Sequence, residues 1–144
     1  MMMTKSLNNL VFPRILVLFP FIFSAAPSSG QDLNKLDSLT SGIVELWSSG
    51  SSDMLYAGED CGARGEVLQK WSGRVATEME RLNVAWDSLL TAFPLETVQK
   101  HSNSVRASVE LFFEHVSSCS NDPRFKAAYD QMWKDFSTEE QATE

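Results

Sequence analysis

Gly65-Glu-Val-Leu-Gln-Lys-Trp-Ser-Gly-Arg-Val-Ala-Thr-Glu-Met-Glu-Arg-Leu-Asn-Val-Ala-Trp-Asp-Ser-Leu-Leu-Thr-Ala-Phe93 is the stretch that decides the fold. Leu68, Trp71, Val75, Met79, Leu82, Trp86, Leu89 and Phe93 follow one another at intervals of three or four. That is the period of one helix face. The opposite face carries Glu66/Lys70 and Arg74/Glu78, each pair four apart, a spacing that adds a few tenths of a kcal/mol to an exposed helix, ~0.2–0.5 per pair. Pro94 ends the helix, because the residue before a proline is pushed out of helical geometry.

The same period recurs on both sides. Upstream, Leu33, Leu36, Leu39, Ile43, Leu46 and Trp47 predict a helix from about Asp32 to Ser48, with Asp32 as its N-cap. Ser48-Ser49-Gly50-Ser51-Ser52 reads as the polar connection that ends it. Downstream, Val98, Val105, Val109, Phe112, Val116 and Cys119 predict a third helix from Leu95 to Cys119, with Pro94 near its first turn. Its middle, His101 to Ser108, is polar and reads as partly solvated or bent. Asn121-Asp122-Pro123 opens a fourth helix, whose apolar face is Phe125, Tyr129, Met132, Trp133 and Phe136. No segment alternates like a strand. The expected fold is all-α, a single small up-down four-helix bundle.

The first 30 residues read differently. Lys5 and Arg14 without any acidic residue, an apolar stretch from Ile15 to Phe23, then small residues make a secretory signal. Nine apolar residues fall far short of the roughly 20 that span a bilayer. Small residues at Ser28-Ser29-Gly30 favour cleavage before Gln31. The expected organisation is a signal peptide at 1–30, a helical domain at 31–136 and an acidic polar tail at 137–144. The localisation that follows is secreted and extracellular, so the mature chain has no membrane span.

Cys61 and Cys119 are the only cysteines, and an oxidising compartment makes them a disulfide. Counted from the Pro94 turn, Cys61 lies 33 residues back and Cys119 lies 25 forward. The second and third helices, folded back antiparallel, therefore bring both to one end. The mismatch of eight residues is expected to be absorbed by loop in the Gly-rich stretch from Gly58 to Gly65.

Removing Lys5 and Arg14 with the leader leaves 10 basic residues against 19 acidic ones, a net charge of −9. Such a surface repels nucleic acid. The glycines at 58, 62 and 65 read as loop or, if helical, as a smooth strip that lets another backbone approach. They do not form a phosphate cradle, for no Gly-Lys-Ser/Thr follows and Glu59, Asp60 and Glu66 surround them. His101 and His115 sit about 21 Å apart along a helix axis and read as solvated edge residues without a shared metal. No Gly-x-Ser-x-Gly elbow occurs. Neither a catalytic constellation nor a cofactor is expected.

The aromatic residues on the stripes are the remaining candidates. Trp47, Trp71, Trp86, Phe112 and Trp133 would either fill the core or line a cavity for a small apolar ligand. Phe113, beside the stripe, is a candidate surface contact. Two functions follow as expectations: an interaction protein working on an unknown extracellular partner through a helix face, and a carrier of a small apolar ligand.

Overall fold

The computed structural model describes residues 30–142. Residues 1–29 of the leader and the last two residues of the tail lie outside the described residues, and the expected cut before Gln31 falls in the first turn of the first helix. The described residues form four helices: α1 (Gly30–Tyr56), α2 (Cys61–Leu90), α3 (Leu95–Ser117) and α4 (Pro123–Ala142). Among the described residues there is no strand. None of these four helices is long and apolar enough to cross a membrane.

The helices sort into two compact units. The first holds residues 30–44 and 81–107, the second 45–80 and 108–142. In the first, Leu36, Leu39, Ile43, Leu82, Trp86, Leu90, Phe93, Val98 and Val105 are buried. Trp86 donates its indole N–H to Thr40 Oγ1 at 2.9 Å, and that hydroxyl donates to the Leu36 carbonyl at 2.8 Å. The buried ring thus keeps its polar atom satisfied. Leu90, fully buried, takes the core position expected of Leu89, which is half-buried. α2 ends at Leu90, three residues before the expected stop. There Ala92 and Phe93 donate to the carbonyls of Leu89 and Leu90, a tightened turn that tucks Phe93 inside.

The middle of α3 is partly solvated, with Asn103, Ser104, Arg106 and Ala107 exposed, but it is not interrupted. His101 and Ser102 are buried in a continuous helix. The imidazole of His101 lies 2.6 Å from Asp37 Oδ1 through Nε2 and 2.8 Å from the Thr97 carbonyl through Nδ1. With a partner on each ring nitrogen, the side chain can leave water without losing hydrogen bonds.

The second unit corrects two boundaries. α1 runs straight through Ser48-Ser49-Gly50-Ser51-Ser52 to Tyr56. Its buried positions continue as Trp47, Gly50, Ser51 and Met54, which keeps the three-and-four spacing unbroken. Gly50 is there because of its partners. A Cβ on it would come within 2.7 Å of both the Phe112 and Trp71 rings. The serines turn their hydroxyls to the helix itself, Ser49 to the Leu46 carbonyl and Ser51 to that of Trp47. Likewise α2 begins at Cys61, so Gly62 and Gly65 are helical. The expected loop before Gly65 is therefore absent, and the non-helical residues lie on the other side of the disulfide, where α3 ends at Ser117 and leaves Ser118 and Cys119 in a turn.

Candidate functional site

Two connections of the second unit, residues 57–60 and 118–122, are fastened to each other. Gly58 carries φ of 81°, a left-handed conformation that glycine adopts without strain and that stops α1. Asp60 then caps α2, accepting from the backbone N–H groups of Gly62 and Ala63 at 3.3 Å each. Asp122 caps α4 in the same way, accepting from the N–H of Arg124 at 2.8 Å and of Phe125 at 3.4 Å. Pro123 fills the first helical position, where no N–H is needed.

Arg124 links the two caps. Its guanidinium donates to Asp122 Oδ2 at 3.1 Å and to Asp60 Oδ1 at 3.4 Å. The hydrogen bond from that guanidinium holds the Asp122 carboxyl below its ordinary value; desolvation opposes it, and the two backbone N–H groups add to the lowering. Asp122 in turn raises the Arg124 guanidinium above its ordinary value.

Arg64 makes a second link. It donates to the Gly58 carbonyl, to Ser118 Oγ at 2.7 Å and to the His115 carbonyl at 3.4 Å. Between the two arginines lies the disulfide Cys61–Cys119, with Cα atoms 5.5 Å apart. A covalent bond and two forked cations therefore hold the helix ends in place.

Two kinds of surface result. At the end of α1, Leu55 is 57 % exposed and Tyr56 93 % exposed. Between α2 and α4 runs a groove of about 590 Å³, floored by small residues such as Gly62, Gly65 and Ala127 and edged by Glu66 and Arg124. The helices pack closely there: a Cβ on Gly65 would lie 3.4 Å from Ala128 Cβ, the Arg124 carbonyl and Phe125 Cα, at the near edge of ordinary van der Waals contact.

The aromatic candidates of the stripes are mostly brought together. Trp47, Trp71 and Phe112 are buried in mutual contact, with ring centroids 4.9 to 5.7 Å apart. Phe136 closes on both indoles at 6.0 and 5.7 Å. The indole N–H of Trp71 reaches the Leu46 carbonyl at 3.1 Å and Ser49 Oγ at 3.0 Å. Phe113 is half-buried and stacked on Trp133, with centroids 6.0 Å apart and planes 12° apart. It also touches Trp47, Phe112 and Tyr129. Trp86 belongs to the first unit and does not join this cluster.

Sequence reasoning missed Tyr56, Leu55 and the paired arginines. Asp60 before a helix and Asp122 before Pro123 are both legible caps, but nothing in their spacing says that one guanidinium serves both. Among the described residues no three His, Cys, Asp or Glu side chains converge as metal ligands. The chain matches no protein-family model, no curated protein and no solved structure.

Proposed function

We propose that this chain is a secreted, non-enzymatic helical interaction protein, an up-down bundle behind a cleaved leader that meets an extracellular protein through a helix face. The observation that carries this reading is exposure joined to rigidity at the end of α1. Leu55 and Tyr56 project into solvent beside a turn fixed by a disulfide and by Arg64. Tyrosine is enriched among interface anchors, and holding an anchor on a braced frame lowers the ordering cost of binding. The acidic composition argues for a protein partner over nucleic acid.

The carrier reading draws less support. Rings in contact at 4.9 to 6.4 Å satisfy one another as a core does, and the groove between α2 and α4 is edged by charge. Native mass spectrometry of protein from its natural source separates the two. A heteromeric complex is expected. A stoichiometric organic adduct on an otherwise lone chain would replace this reading by the carrier.

A further inference from the structure

We propose that Tyr56 is a sulfation site, a phenol esterified with sulfate as the folded chain passes through the secretory pathway. The inference rests on the secretory reading above and deepens it. Four observations converge on this side chain.

The first is access. Transfer to a folded domain needs a phenol that stands clear of its surroundings, and Tyr56 is 93 % exposed. The chain's other tyrosine, Tyr129, is 3 % exposed and packed among Phe113 and Trp133, so the molecule contains its own negative control. The second is charge. Asp53 lies three residues before Tyr56, Glu59 three after and Asp60 four after. No lysine or arginine occurs between Lys35 and Arg64 in sequence. In the fold, however, Asp53 pairs with Arg74 at 3.2 Å and Asp60 with Arg124 at 3.4 Å, so Glu59 supplies the acidic charge that no arginine offsets. An enzyme that binds an anionic sulfate donor presents a basic cleft, and such a cleft attracts this segment. The third is shape. Tyr56 is the last residue of α1 and Gly58 turns the chain immediately afterwards, so the phenol sits at a corner and not along a helix flank. The fourth is permanence of display. The disulfide at Cys61 and the Arg64 contact to Gly58 hold that corner in place once the domain has folded.

The chemistry balances with one co-reactant, a nucleotide phosphosulfate. The phenolic oxygen of Tyr56 attacks the sulfur. The O–S bond of the aryl sulfate forms as the bond from sulfur to the bridging phosphate oxygen breaks. The nucleotide leaves as its phosphate, and the phenol proton passes to a base of the transferase. The product carries one added negative charge on a side chain already clear of the fold. Sulfate at a helix C-terminus is opposed by the macrodipole, but the outstretched phenol keeps it in solvent. A partner with an arginine- or lysine-lined pocket would read it.

The test uses the whole chain, leader included, expressed in a eukaryotic cell that possesses a Golgi tyrosine sulfotransferase. Protein recovered from the medium is expected to be heavier by the mass of one SO₃ group, mapped to the peptide containing Tyr56. Tyr56→Phe should be secreted equally and lack that mass, and chlorate, which blocks formation of the donor, should abolish it in the parent. Secreted protein without the group, the group on Tyr129, or an adduct removed by alkaline phosphatase would overturn the proposal and leave secretion standing. Retention of the chain inside the cell would overturn both.

Discussion

Trp86 illustrates how a single residue carries packing and polarity together. Its ring is 2 % exposed, and its N–H is spent on a hydroxyl that is itself anchored to α1. Trp86→Ala should lower stability by about 3–5 kcal/mol in denaturant titration, since a void replaces the indole. Lys70→Ala, on the exposed face of the same helix, should stay within about 0.5 kcal/mol. Equal midpoints for the two variants would contradict the burial described. Asp122 makes a prediction in pH. Its folded carboxyl titrates below the ordinary value of 3.8, so it stabilises the native state above that value. This contribution is lost as pH falls through the depressed folded pKa. Asp122→Asn retains an oxygen for the backbone N–H groups but no charge for Arg124. The parent should therefore be the more stable near neutrality, and the gap should close progressively in acid below about pH 4. A gap that persists or widens in acid would mean that Asp122 does not hold its pairing in the folded state.

At the scale of the element, two helical glycines with the same intrinsic preference should respond oppositely. Gly73 is exposed on α2 with nothing within 4 Å of a Cβ placed on it. Gly73→Ala should raise stability by about 0.4–1 kcal/mol, chiefly by restricting the unfolded chain. Gly50 on α1 faces Phe112 and Trp71 at 2.7 Å. Gly50→Ala should destabilise by about 1–3 kcal/mol, because two rigid rings must shift within the aromatic cluster. Thermal melts of both variants check the pair, and a stabilising Gly50→Ala would show that α1 does not pack as described. The same comparison explains why the first helix is longer than its composition suggests. A run of four serines around a glycine is a loop signal when only local preference is weighed. Burial against α2 and α3 reverses it, since the smallest residue is the one that fits between an indole and a phenyl ring.

For the whole molecule, the disulfide is the feature that constrains the longest stretch of chain. Cys61 and Cys119 are 58 residues apart in sequence, and on the chain-entropy model closing a loop of that size contributes about 4 kcal/mol. The double variant Cys61→Ser/Cys119→Ser should keep its helical circular dichroism in water yet unfold at a markedly lower denaturant concentration. An unchanged midpoint would mean that the bond constrains nothing the fold does not already hold. The sequence by itself determined the class of the described residues, four helices, and the partners of the disulfide. Those properties follow from the period of apolar residues, from prolines that helix interiors do not tolerate, and from an even pair of cysteines. The boundaries around residues 48–65 and the exposure of Tyr56 were decided only by tertiary structure. So were the burial of His101 against Asp37 and the single guanidinium between two caps. Each depends on what another segment brings alongside: Phe112 and Trp71 over Gly50, Asp37 over His101, Arg124 over Asp60. Local periodicity records which face of a helix is apolar, whereas the identity of the atoms that meet that face is a property of the folded chain alone.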